Sequence, residues 1–332
     1  MSATHGPKIL DFKLVDGQPL QLDIWSFAEP SEPKPAFIYF HGGGLAAGTR
    51  RTAIPQFLRN EAKNRGWTFI SSDYRLLIPA TGQDILDDVH SLFEFISANV
   101  PQIDMNRVAV GGGSAGGYVA RLAALYARPR PKVFYSLYGI GGDLFSSLYM
   151  DPPPWKDVTE LAKIAPMTHP TAAQRSQLKY EWNAPFGPHD QIDGFAPNPL
   201  RIPLWSSLMT EGVFLDFITG VEGLGEKVRA ASKIKGELDT SSIPTEVRHL
   251  IPQFNIDASF PPSHLSHGLD DSSVLSTEST KTHEQLNAAG VPNELDLVPD
   301  VGHMFEWNRE DEPAIRKVID SIALFLCKYL EA

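Results

Sequence analysis

Arg107-Val108-Ala109-Val110-Gly111-Gly112-Gly113-Ser114-Ala115-Gly116-Gly117 is the stretch on which the reading turns. Arg107 to Val110 reads as a short strand, and Ala115 to Ala127 reads as a helix. Between them Gly112-Gly113-Ser114-Ala115-Gly116 spells G-x-S-x-G. A serine on so sharp a strand-to-helix turn has a strained backbone, and its hydroxyl projects from the sheet edge. Flanking glycines are needed because side chains would clash in the turn. A phosphate-binding Walker A loop is excluded, because no Lys-Ser or Lys-Thr follows.

The elements around this turn alternate. Ile9 to Val15 and Leu20 to Ala28 read as a hairpin about Asp16-Gly17, followed by a proline-rich connection from Pro30 to Pro35. Ala36 to Phe40 is nearly continuous in apolar residues, as a strand buried on both faces requires. Trp67 to Tyr74 reads as a strand, Asp84 to Val100 as a helix and Lys132 to Tyr138 as a strand. The order resumes with Phe260 to His267 (strand), Ser276 to Ala289 (helix), Glu294 to Val298 (strand) and Glu312 to Leu330 (helix). Such alternation implies an α/β fold with a mostly parallel sheet flanked by helices. Between the two blocks the order fails. The stretch is rich in proline and aromatics: Pro152-Pro153-Pro154-Trp155, Trp182, Pro185-Phe186 and Trp205. We expect residues 1-140 and 258-332 to form one sheet domain and residues 141-257 to form an inserted cap, with Leu204, Leu208, Val213, Phe214 and Phe217 on its apolar faces.

Composition narrows the function. A net charge of -11 argues against binding nucleic acid or an anionic membrane. No apolar run reaches the eighteen residues of a membrane span. The start, MSATHGPKIL, has no basic region followed by a long apolar stretch, so no secretion signal is expected. Cys327, the single cysteine, cannot form an internal disulfide and sits in an apolar helix pattern. It is expected to be a buried small hydrophobe, and a reducing, cytoplasmic setting fits it.

A serine hydroxyl is a weak nucleophile and needs a base and an orienting acid. On a turn of this kind the partners follow in the order Ser, then Asp or Glu, then His. His283 sits inside a helix pattern and is expected to face solvent. His303, in Asp300-Val301-Gly302-His303, lies after the last strand, where a base would be placed. The acid belongs in the stretch after the preceding strand, where Asp270 and Asp271 compete. A second glycine-rich stretch, His41-Gly42-Gly43-Gly44, follows Ala36 to Phe40. Attack on an ester carbonyl creates an oxyanion, and backbone N–H groups can receive it without reorganisation. Gly43, Gly44 and Ala115 are the expected donors. His41 is expected to brace the loop by hydrogen bonding.

These residues resemble the α/β-hydrolase superfamily, in particular the hormone-sensitive-lipase-like esterases. That family carries HGGG, then DYRL, then G-D-S-A-G. Here the counterparts are His41 to Gly44, Asp73-Tyr74-Arg75-Leu76 and Gly112 to Gly116, with Gly113 where the family often has aspartate. His267, Gly268, Asp271 and Val274 match an H-G-x-x-D-x-x-V pattern of related esterases, which selects Asp271 as the acid. The resemblance implies an α/β-hydrolase fold and a serine hydrolase with Ser114, Asp271 and His303 as catalytic residues. No metal or cofactor is called for. The expected substrate is a small to medium hydrophobic carboxylic ester. An amide or thioester hydrolase, a non-hydrolytic enzyme and a ligand-binding receptor are the alternatives on the same fold.

Overall fold

The computed structural model describes residues 6–27, 32–151, 172–182, 201, 204, 208 and 211–332. The strands are β1 (Lys8–Val15), β2 (Gln18–Ser26), β3 (Lys34–Phe40), β4 (Thr68–Ser72), β5 (Ile103–Gly113), β6 (Val133–Leu137), β7 (Ser263–Gly268) and β8 (Asn293–Val298). The helices described are α1 (Gln56–Arg65), α2 (Gly82–Asn99), α3 (Gly116–Tyr126), α4 (Ser147–Met150), α5 (Ala172–Arg175), α6 (Phe214–Thr219), α7 (Leu224–Lys235), α8 (Thr277–Ala288) and α9 (Pro313–Glu331).

One sheet runs in the order β1-β2-β4-β3-β5-β6-β7-β8. The β1–β2 hairpin and the β2–β4 pair are antiparallel, and every pairing from β4 to β8 is parallel. The chain passes from β3 out to β4 and then crosses back to β5 on the other side of β3. The order therefore reverses between β3 and β5, and the crevice beyond the carboxyl ends of such strands is where ligands bind in open α/β sheets. Phe40 pairs with Gly112 in the β3–β5 register, so the loops that follow the two strands emerge side by side.

Strand periodicity sorts the core into two layers. Ala36, Ile38 and Phe40 of β3, with Val108 and Val110 of β5, meet α2 and α3 on one face. Phe37, Tyr39 and Ala109 point to the other face, against Phe57 and Leu58 of α1 and Ile315, Ile319 and Ile322 of α9. Cys327 is buried on α9, as its pattern requires. Helix α2 starts with a capping box between Thr81 and Asp84, which satisfies two backbone donors that the first turn leaves open.

Three readings are adjusted. Helix α1 has no counterpart among the sequence expectations: only Phe57, Leu58 and Ala62 of its ten residues are buried, a weak periodic signal. Strand β5 spans eleven residues, longer than Arg107 to Val110, because both its neighbours continue to pair with it. His283 does not simply face solvent. It is half-buried and its ring nitrogens contact Asn293 and Asn287. Of the prolines and aromatics assigned to the cap, Pro152 to Trp155, Pro185, Phe186 and Trp205 lie outside the described residues. Trp182, Leu204, Leu208 and Phe214 are buried in the same apolar cluster as β3, α2 and α3.

Candidate functional site

Ser114 follows the last residue of β5 and has φ +54°. Side chains other than glycine pay for this left-handed conformation, so the surroundings must hold it. They do so from two directions. The Ser114 N–H donates to Leu137 O at 3.0 Å, and Ser114 O accepts from Gly117 N at 3.0 Å and Ile140 N at 2.9 Å. Close approach explains the glycines here: a Cβ on Gly116 would stand 1.9 Å from Phe40 O. Ser114 is half-buried, and no hydrogen bond of its hydroxyl joins it to the described residues.

Asp271 and His303 come together. His303 Nδ1 lies 2.7 Å from Asp271 Oδ2. Asp271 Oδ1 accepts the N–H groups of Ser273 and Val274, each at 2.9 Å. Burial of this carboxyl favours its neutral form. Hydrogen bonds from His267 and His303 and the charge on His303 outweigh that and hold it well below the usual carboxylate range. An ionised carboxylate only accepts, so the His303 Nδ1 carries the hydrogen and Nε2 is the nitrogen left to take a proton. His267, wholly buried, stands behind: its Nε2 is 3.4 Å from Asp271 Oδ2 and 2.9 Å from Val274 O, and its Nδ1 is 2.8 Å from Ser279 Oγ. Asp270 is exposed, and its N–H closes the turn onto Val301 O at 3.0 Å. No hydrogen bond joins His303 to Ser114 among the described residues. In proteins without bound substrate such contacts are often long and tighten only in the complex.

The second loop lies against the serine. A Cβ on Gly42 would stand 3.3 Å from Ser114 Cβ. Gly43 has φ +110° and Gly44 +65°, and a Cβ on Gly43 would meet Ala47 O at 2.1 Å. Gly43 O accepts from the N–H groups of Ala46 and Ala47. The N–H groups of Gly43, Gly44 and Ala115 donate to no backbone oxygen among the described residues.

The loop is anchored by buried polar groups. His41 Nδ1 lies 2.7 Å from Gly42 O. Its ring stacks on Tyr74 with centroids 4.3 Å apart, and the Tyr74 hydroxyl donates to His41 O at 2.8 Å. Burial pushes the His41 pKa down to about 4, so the ring is a neutral donor, in accord with the bracing role expected from the sequence. Arg50 donates from Nη1 to Asp73 Oδ2 at 2.8 Å and from Nε to Asp23 Oδ1 at 2.5 Å. Its backbone N–H adds a bond to Asp73 Oδ1. Burial still lifts Asp73 to about 6 against the pull of Arg50. Arg75 turns the other way, to Asp84 and Asp88 of α2. The Asp-Tyr-Arg stretch thus ties the loop to β2 on one side and to α2 on the other.

Two further residues escaped the sequence reading. The Tyr138 ring lies edge-on to His303 with centroids 4.7 Å apart, and its hydroxyl donates to Glu306 Oε1 at 2.5 Å. Tyr138 and Glu306 are 168 residues apart in the chain, and no local pattern links them. His267 was legible only as part of a motif, without the contact to Asp271.

Comparison with known proteins agrees with this architecture. A family model described as the alpha/beta hydrolase fold matches residues 37–206, which is half of the chain. A probable carboxylesterase, M8, from a Phoma species is 28% identical over 145 residues, covering 39% of this chain and 45% of that protein. A 5-methylorsellinic acid synthase from Aspergillus terreus is 25% identical over 324 residues, covering 91% of this chain and 12% of the synthase. The chain thus spans less than half the length of these curated relatives. Among solved structures, the butyrate-bound form of a thermophilic esterase from Thermogutta terrifontis superposes with a TM-score of 0.61 at 18% identity, covering 97% of this chain and 94% of the other. At that identity the likeness is one of fold.

Proposed function

The chain belongs to the alpha/beta hydrolase fold family, and on that premise we propose that it is a serine carboxylesterase. The observation that carries the reading is the 2.7 Å contact between Asp271 and His303, at the same edge of the sheet as the strained turn of Ser114. His303 Nε2 takes the hydroxyl proton of Ser114 as Oγ attacks the ester carbonyl. Asp271 keeps the imidazole in the required tautomer and stabilises the cation that forms. The N–H groups of Gly43, Gly44 and Ala115 receive the developing oxyanion, each donor contributing about 3 kcal/mol of transition-state stabilisation. The cation returns its proton to the leaving alcohol. Water, deprotonated by the same nitrogen, then releases the acid from Ser114.

Residues 141–257 are proposed as a cap over this edge, since they connect β6 to β7 where neighbouring parallel strands need only one crossover. The apolar and aromatic content of the segment favours a small to medium hydrophobic acyl group. No helix among the described residues is long and apolar enough to cross a membrane. A cytoplasmic location is proposed on the buried, unpaired Cys327 thiol.

Hydrolysis of p-nitrophenyl acetate, butyrate and octanoate beside Ser114→Ala tests the reading. Turnover that vanishes in the variant supports it and ranks acyl lengths. A folded protein that neither turns over nor takes a fluorophosphonate on Ser114 would overturn it. A second reading, cleavage of an acyl thioester, calls on the same serine, base and backbone donors. A kcat/KM for a butyryl N-acetylcysteamine thioester well above that for the oxygen ester would select it.

A further inference from the structure

We propose that Glu306, acting through the Tyr138 hydroxyl, is a positioning residue for the His303 imidazole. The inference rests on the reading of His303 as the base and adds a second carboxylate behind it. Asp271 holds the Nδ1 side of the ring. Tyr138 closes the ring from another direction, edge-on at 4.7 Å, and Glu306 fixes the Tyr138 hydroxyl at 2.5 Å.

The arrangement is costly, and a purely structural role does not account for the cost. Tyr138 has φ +41°, a conformation unfavourable for a residue with a side chain. Its backbone is held there by donation from its N–H to Ser266 O at 2.7 Å, on β7. Glu306 is 5% exposed, and its Oε2 has no partner. A buried carboxyl with an open oxygen is unfavourable, and a phenylalanine facing a leucine would fill the same space without that cost. The nucleophile turn also makes room for the phenol. A Cβ on Gly113 would stand 3.3 Å from the Tyr138 ring and 3.4 Å from its hydroxyl. Glycine at 113, the departure from G-D-S-A-G, leaves that space to Tyr138.

The charged and titratable neighbours follow the elements packed there. Asp271, with His267 behind it, comes from the turn after β7. Tyr138 comes from the end of β6, with Tyr39 of β3 near it. Glu306 lies on the segment of His303 itself, with Glu310 beyond. Burial holds the Glu306 carboxyl above its ordinary range, outweighing the Tyr138 hydrogen bond and the charge of His303, which favour its ionised form. The coupling is reciprocal: an ionised Glu306 favours the imidazolium that forms when Ser114 is deprotonated. Burial and the neighbouring Glu306 hold the Tyr138 phenol far above its ordinary range, so it remains a donor throughout.

The test is a proton NMR titration of the His303 Hε1 resonance, assigned by its loss in His303→Gln, in the wild-type protein, Glu306→Gln and Tyr138→Phe. With Glu306→Gln the midpoint should fall by roughly half to one pH unit. Tyr138→Phe, which keeps the ring and removes only the hydroxyl, should shift it in the same direction by less. On the best p-nitrophenyl ester, kcat should fall roughly three- to tenfold in each variant with KM nearly unchanged, and the double variant should be no worse than the poorer single one. An unmoved midpoint in both variants overturns the proposal, as does a lowered Tm with kcat intact, which would mark the pair as packing alone. If Glu306→Gln does not fold, Tyr138→Phe carries the same decision. A wild-type protein without turnover would remove the esterase reading, while the titration would still decide whether Glu306 acts on His303.

Discussion

Two loops at one sheet edge each carry a histidine, and the protein treats them in opposite ways. His41, after β3, is wholly buried, stacked on Tyr74 and driven to about 4 by burial. His303, after β8, keeps 20% of its side chain exposed and faces the Asp271 carboxylate. One ring is locked as a neutral donor to the backbone; the other lies partly exposed with a carboxylate on its Nδ1 side. The residue type is the same, and partner and solvent access assign the role. The anchoring chemistry differs accordingly. The His41 loop rests on a buried ionic cluster of Asp23, Arg50 and Asp73 that makes no contact with the expected reacting atoms. At the His303 loop the carboxylate of Asp271, from the turn after β7, lies directly on the imidazole.

The largest test of this division is at the acid. Asp271→Asn should lower kcat by about 10⁴-fold, through loss of the correct tautomer, whereas Asp270→Asn should leave it within about twofold, since surface changes are nearly neutral. Steady-state kinetics on one ester suffices, and the reverse result would move the acid to the exposed aspartate. Next comes the anchor of the His41 loop. Arg50→Met leaves two buried carboxylates with one cation fewer and should cost about 3–5 kcal/mol of stability in urea unfolding. A cost below about 1 kcal/mol, the range of surface pairs, would mean the cluster does not hold the loop. Gly43→Ala should then cost about 10²–10³ in kcat with little change in KM, because the loop must shift to relieve the contact with Ala47 O. An unchanged kcat would remove this N–H from the oxyanion site.

The smallest effect is in pH. Native His41 takes up its proton only near 4, and an unfolded histidine does so at 6.5. Its contribution to stability is full above about 6.5 and is lost as pH falls to about 4, about 3 kcal/mol in all. Asp73 works the other way: raised to about 6 from 3.8, it binds its proton more readily in the native state and favours folding as pH falls through the same window. The two largely cancel in the wild type. His41→Asn should expose the Asp73 trend, with a variant whose stability relative to wild type improves on acidification from about 6.5 to about 4. Parallel pH profiles for the two proteins would show that His41 is not held neutral.

Much of this was legible before the structure. Ser114 was readable because glycine flanks it on both sides in a strand-to-helix context, and His303 because it follows the last strand. The weakly patterned α1 and the full length of β5 were not. An amphipathic face with three buried residues is a faint signal, and the extent of a central strand depends on its neighbours. Choosing Asp271 over Asp270 required a motif; the fold then shows one buried against two histidines and the other exposed.

The division has a physical cause. Chemistry that depends on backbone freedom or on residue order leaves a local trace: runs of glycine, an apolar strand, the succession of β and α. The sequence alone therefore determined the class of fold, the nucleophile turn and the order of the expected catalytic residues. Which histidine is neutral, which aspartate is ionised and which tyrosine meets Glu306 depend on burial and on contacts between residues 32 to 168 positions apart in the chain. Those are properties of where strands end in space, and only the tertiary structure decided them.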